Sequence, residues 1–172
     1  MSMALVFQYG SNCSAERLNS QDRLRGDAVP VGWAETVENY RLQFDVWSSR
    51  NECAASDIIL GGDTPVQGVL YEIPDRLLSR NTTPIGRKSL DAIEGNAYAR
   101  QAIRVRKRDG TIVEAQTYVV QTSARALLTS IEYVRHIVSG LRKHGATEEY
   151  IVLVKEVAAA NNPNIAEDVR KL

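Results

Sequence analysis

The residues best placed to do chemistry form one run near the start, Leu5-Val6-Phe7-Gln8-Tyr9-Gly10-Ser11-Asn12. An apolar stretch ends in a glycine-centred turn, and Ser11 to Ser14 supply cap residues for a helix around Ala15 to Leu18. The first N–H groups of a helix have no internal partner, so such a turn aims several donors at one point. Gly10 lacks a Cβ, which lets a ligand approach its backbone. This makes a cradle for an anion or a polarised carbonyl. The same residues also read as a tight turn with a helix cap and nothing more.

Other reactive side chains are sparse. Cys13 and Cys53 form neither a CxxC motif nor a disulfide framework, and they read as free thiols. Cys13 falls at a helix start, where a thiolate is favoured, yet small buried cysteines are common, so a nucleophile is the lesser reading. His136 and His144 do not share a helix face at metal-ligand spacing, and no carboxylates join them. No metal and no cofactor is expected. The basic run Arg104 to Arg108 sits beside an Asp109-Gly110 turn signal and reads as the solvated face of a hairpin strand, with a type I′ turn at its tip.

Elements must hold these residues in place. Trp33 to Val37 predicts a short strand, and Tyr40, Leu42, Phe44 and Val46 alternate with Arg41, Gln43, Asp45 and Trp47 as a half-buried one. Ser48 to Asp57 reads as a loop, and Ile58 to Leu60 meets a Gly61-Gly62-Asp63 turn before a strand over Val66 to Ile73. Ser79 to Lys88 reads as an ordered loop. Ser89 to Glu94 has helical spacing with Gly95 as its stop, and on spacing alone Glu94 is a surface residue of the last turn. Gln101 to Arg108 and Thr111 to Gln121 pair as a hairpin. Ser130 and Thr147 cap two amphipathic helices, and Asn161-Asn162-Pro163 breaks the second. Strands followed by helices give an α+β class, with a mixed, mostly antiparallel, barrel-like sheet flanked by helices. A chain of 172 residues buries roughly 70% of its unfolded surface and predicts one domain over residues 1–172, its tail 161–172 peripheral. Twenty-one basic and 21 acidic residues balance, which steers the chain toward neither nucleic acid nor a membrane surface. With no apolar run of ~20 residues, a soluble, cytoplasmic protein is expected.

Several separated pieces, in order, resemble the γ-glutamylcyclotransferase-like family. Tyr9-Gly10-Ser11-Asn12 is similar to its YGSN signature, and Leu90-Asp91-Ala92-Ile93-Glu94-Gly95 with Tyr98 to its LDxxEG segment. Thr129-Ser130-Ile131-Glu132-Tyr133, with Ile137, Gly140, Tyr150 and Ile151, resembles its C-terminal PSxxY pattern. Gln67 to Tyr71 and Thr117-Tyr118 resemble two of its strands. Cys13, Gln67 and Thr129 depart from the usual leucine, tryptophan and proline, and the 79–88 segment is longer than the family pattern.

The resemblance implies an enzyme that converts a γ-glutamyl amino acid, peptide or amine to 5-oxoproline and the free amine. The substrate's own α-amine attacks its γ-carbonyl, so orientation can supply several kcal/mol, within the ~7–11 of well-placed intramolecular reactions. A base must take a proton from an ammonium of pKa near ~8 and then protonate the leaving nitrogen. By the match Glu94 is that group, which requires a desolvated carboxyl of raised pKa. The turn, with Val6, Phe7, Gln8 and Tyr9 leading into Gly10, Ser11 and Asn12, would hold the substrate's carbonyl or carboxylate. Tyr133 would donate its phenol and Tyr98 and Tyr118 would line the cavity; separately, the length and polarity of Ser79 to Lys88 suggest a mobile flap. The implied partner is a small γ-glutamyl molecule, with no nucleic acid and no membrane, and a homodimer is allowed. The alternatives are a non-catalytic binder of a small acidic metabolite on the same fold, and a cyclotransferase that removes a γ-glutamyl protecting group in small-molecule biosynthesis.

Overall fold

The computed structural model describes residues 1–121, 123–124 and 126–172. Six strands carry the fold: β1 (Met3–Gln8), β2 (Val29–Ser48), β3 (Cys53–Leu60), β4 (Thr64–Pro74), β5 (Tyr98–Lys107) and β6 (Ile112–Val120). Their order is β3-β2-β4-β1-β6-β5, and a further β2–β5 pairing closes five of them into a barrel with β3 laid on the far half of β2. Only β1 and β6 run parallel; the other pairings are antiparallel. Closure satisfies the sheet edges that an open sheet would leave to solvent or aggregation.

The helices are α1 (Ala15–Leu18), α2 (Leu90–Glu94), α3 (Ile131–Lys143), α4 (Glu148–Asn161) and α5 (Ala166–Arg170). Ser14, Ser89, Ser130 and Thr147 cap the first four, each accepting the backbone N–H three residues on. Helix α3 buries Val134, Ile137, Val138 and Leu141 and lies against the short 3-10 turn Ser11–Cys13. The approach is so close that a Cβ on Gly140 would stand 2.3 Å from the Cys13 carbonyl. One apolar core runs from Val6 on β1 to Val169 on α5. Val169 is fully buried, so the tail read as peripheral docks on α3 and α4. No helix among the described residues is long and apolar enough to cross a membrane.

Three expectations need correction. The two strands predicted at 33–37 and 40–47 are one 20-residue strand, β2. Its pairing with β4 is irregular between Glu35 and Asn39, where Thr36 Oγ1 accepts the Val66 N–H at 2.9 Å and donates to the Glu38 carbonyl at 2.7 Å. A hydroxyl thus replaces a missing ladder partner, and the strand bends, where it passes from β5 to β3, instead of ending. The loop predicted over 48–57 shrinks to a turn, because Cys53 to Asp57 already belongs to β3 and is buried. Its polar Ser56 and Asp57 look loop-like until their tertiary partners are seen. The tip of the β5–β6 hairpin is a three-residue loop, closed by Gly110 N–H to the Lys107 carbonyl and Lys107 N–H to the Thr111 carbonyl. Gly110 has φ +87° while Asp109 does not take positive φ, which excludes the predicted type I′ turn.

Candidate active site

Three separate parts of the chain converge on one carboxylate. Strand β1 ends at Gln8, the turn after it presents Asn12, and α2 ends at Glu94. Gln8 Nε2 and Asn12 Nδ2 each donate to Glu94 Oε1 at 3.0 Å. Oε2 accepts no protein hydrogen bond among the described residues, and Glu94 lines the adjoining cavity. The five-residue helix is pinned at one end by Ser89, whose hydroxyl accepts the Ala92 N–H at 3.1 Å. It is stopped at the other by Gly95, with β5 beginning three residues later. Glu94 therefore has little backbone freedom.

Desolvation pushes the Glu94 carboxyl above its ordinary value. The two amide donors and the charge of Arg23 pull it back down, and the like charge of Asp91 adds to the rise. The balance stays on the raised side. Arg23, only 6% exposed, has its own pKa lowered to about 10 by burial and by Arg17 and Arg50.

The cavity has two compartments. The outer one, about 250 Å³, is walled by Arg23, Trp47, Arg50, Glu94, Asn96 and Tyr98, among others. A recess of about 30 Å³ shares Ser11, Asn12, Glu94, Tyr98 and Tyr133 with it and adds Gln8, Tyr9, Gly10, Ser56 and Tyr118. Gly10 is required here by space: a Cβ would lie 2.5 Å from Ser56 Oγ and 3.1 Å from the Tyr133 hydroxyl. Ser56 is the hub of the recess. Its N–H donates to the Tyr133 hydroxyl at 3.0 Å, its Oγ shares a 3.1 Å hydrogen bond with the same oxygen, and its carbonyl accepts the Tyr98 O–H at 2.6 Å. When Ser56 Oγ donates, the Tyr133 proton is left to point into the recess.

The remaining phenols are engaged with protein. Tyr9 donates to the Tyr118 carbonyl at 2.6 Å, and Tyr118 donates to Asp91 Oδ1 at 2.5 Å. Asp91 is in turn held by Arg100 Nε at 3.1 Å. Burial raises all of these phenols, so they remain protonated donors with rings facing the recess. Gln8, Tyr9, Gly10, Ser11, Asn12, Glu94, Tyr98, Tyr118 and Tyr133 all line the recess. Val6 and Phe7 do not. Both side chains are fully buried and line neither compartment: as neighbours on β1 they point to opposite faces of the sheet, and both faces are covered there. The 79–88 segment also lines neither compartment: Arg87 ties it to Asp27 at 2.6 Å and to the Leu24 carbonyl, and Arg80 reaches Asn96 at 3.1 Å.

Cys13 is fully buried with its thiol on the Gln8 carbonyl, and burial pushes its pKa up, opposite to a reactive thiolate. Both cysteines are free thiols. His136 meets Arg17, and His144 Nδ1 lies 2.8 Å from the Gly140 carbonyl, both outside the cavity. Ser56, Arg23 and Arg50 are cavity residues that sequence reasoning missed. Ser56 and Arg50 lie in the 48–57 segment that reads as a loop, and Arg23 in the stretch between α1 and β2; no spacing marks any of them.

The family model for γ-glutamyl cyclotransferase, AIG2-like, matches residues 6–136. The chain belongs to this family. Among solved structures it is similar to one titled γ-glutamyl cyclotransferase, with TM-score 0.75 and 19% identity, covering 99% of this chain and 100% of that one. It is also similar to an uncharacterised Homo sapiens protein, loc79017, with TM-score 0.74 and 20% identity over 90% of this chain and 88% of that one. YkqA from Bacillus subtilis aligns with TM-score 0.72 and 20% identity over 94% of this chain and 56% of its own. At these identities the likeness is one of fold. No protein of curated function matches the chain. The barrel closed through β2 and β5, with helices on its flank, is the γ-glutamylcyclotransferase-like fold.

Proposed function

We propose that this protein is a γ-glutamyl cyclotransferase in which Glu94 is the general base and acid. The observation that carries this reading is a desolvated carboxylate with one oxygen held by Gln8 and Asn12 and the other left to the adjoining cavity. Desolvating a carboxylate is costly, and a site that only bound a small acid would be weakened by one. A base acting on an amine uses it.

In this reading the γ-glutamyl group lies where the recess meets the outer compartment, with its α-ammonium on Glu94 Oε2 and its γ-carbonyl toward the Gly10 turn. Glu94 takes the proton, and the freed amine attacks the γ-carbonyl carbon, forming the new C–N bond. Charge develops on the carbonyl oxygen, where N–H groups of the Gly10–Asn12 turn and the Tyr133 phenol are the nearest donors. As the tetrahedral species collapses, the bond to the leaving nitrogen breaks and that nitrogen takes the proton from Glu94. Ionised again, Glu94 accepts the second proton that the still cationic ring nitrogen must lose and passes it to the departing amine, which leaves as an ammonium. The products are 5-oxoproline and the free amine. A raised carboxyl pKa suits both transfers, since it narrows the gap to an amine.

The test is Glu94→Gln, assayed by 5-oxoproline release from a panel of γ-glutamyl amino acids and amides. Glutamine keeps the size and can still meet Gln8 and Asn12, but it cannot carry a proton. Turnover should fall by about 10²-fold or more with folding intact. Full turnover in a folded variant would remove Glu94 from the mechanism.

A further inference from the structure

Arg23 is a largely buried cation with no side-chain partner among the described residues. It leaves the connection between α1 and β2, is 6% exposed, and makes no side-chain hydrogen bond or ion pair among the described residues. Its neighbour Arg50 has Asp22 at 3.6 Å, and Arg17 has Asn51 and His136. Its nitrogens are not sealed off from the cavity, and a guanidinium so largely withdrawn from water gains from a ligand that completes it. The little surface Arg23 keeps opens onto the outer compartment, and it also borders a wider groove with Arg17, Arg50, Arg135 and His136. Its five donors form a planar fork that matches a carboxylate.

The two compartments differ in charge and size. The recess holds only neutral side chains around Glu94, with the polar turn at Gly10. The outer compartment carries Arg23 and Arg50 and is about eight times as large, 250 Å³ against 30 Å³. In a γ-glutamyl substrate the α-carboxylate and the leaving group are borne by the two different carbons that flank the nitrogen of the ring that closes. The recess has no room for a leaving amino acid, so that part must extend into the outer compartment.

Given the cyclisation above, on which this rests, we propose that Arg23 is a specificity residue that binds a carboxylate on the leaving group. The substrates are then γ-glutamyl amino acids or peptides whose departing amine bears a free carboxylate, in preference to γ-glutamyl amines. The guanidinium and the reacting carboxyl are also close enough to influence each other's charge, which fits a substrate that spans both.

The experiment compares γ-glutamylalanine with γ-glutamylalaninamide, nearly the same shape without the charge, on wild type, Arg23→Gln and Arg23→Lys. The wild type should favour the acid by about 10- to 100-fold in kcat/KM, mainly through KM. In Arg23→Gln that ratio should collapse toward one, and Arg23→Lys should restore part of it. The ratio is internal to each protein, so a general loss of activity does not mimic the result. Equal rates for both substrates in the wild type would overturn the assignment without any variant. An Arg23→Gln that slows both substrates alike would overturn it too, leaving the arginine a role in tuning Glu94 or holding the part common to both substrates. Release of 5-oxoproline from neither substrate by the wild type would instead defeat the cyclisation itself, and this inference with it.

Discussion

Asn12→Ala separates the tuning of Glu94 from its presence. Asn12 supplies one of two amide donors to Glu94 Oε1, at 3.0 Å, and both favour the ionised carboxylate. A hydrogen bond to a charged group contributes about 1.5–3 kcal/mol. At 1.36 kcal/mol per pH unit, losing one should raise the carboxyl by about one to two pH units. The base works only when ionised, so the acidic limb of kcat/KM should move to higher pH by that amount, while the rate on the plateau changes less. Stability should hardly suffer, because Asn12 Oδ1 is itself a buried acceptor without a partner among the described residues, and the variant removes that cost. The backbone carbonyl of Asn12 keeps its 2.8 Å bond from the Tyr71 hydroxyl. The assay is a pH–rate profile of 5-oxoproline release alongside a thermal melt. A limb that stays in place, or moves to lower pH, in a folded variant would refute the argument that the Asn12 amide sets the charge of Glu94.

Two further tests address the scaffold. Gly140→Ala drives a Cβ to 2.3 Å from the Cys13 backbone, which cannot swing aside as a side chain can, so α3 must shift. A loss of about 1–3 kcal/mol in a urea titration is expected, with a fall in turnover because Tyr133 rides on the same helix; an unchanged midpoint would show that this contact is soft. Asp57, buried with its Oδ1 on the Val120 N–H, is pushed by desolvation from 3.8 up to about 6. Below 3.8 folded and unfolded chains both hold it protonated, and as pH rises through 6 the unfolded chain ionises more readily, so stability falls. Asp57→Asn should therefore gain on the wild type by about 2 kcal/mol between pH 4 and pH 8, read from denaturation midpoints; a gain toward acid would reverse the sign of this account.

Local chemistry carried much of this protein in its sequence. The serine and threonine caps, the alternation from Tyr40 to Trp47 and the stop at Gly95 are short-range devices, and each reappears in the fold where the residues place it. The ordered motifs were legible for the same reason: Gly10 through Asn12, Glu94 and Tyr133 each sit at the end or start of an element that its own neighbours define. What needed the tertiary structure was anything set by a distant partner. Thr36 keeps β2 whole by serving β4, Ser56 pairs with Phe44 in a ladder and meets two tyrosine hydroxyls, and Arg23 becomes notable only once it is seen buried and without a side-chain partner among the described residues. Burial and pairing across the barrel are properties of positions far apart along the chain, and no local spacing encodes them. The charge state of Glu94 belongs to this second kind, for its carboxylate is set by side chains 82 and 86 residues away.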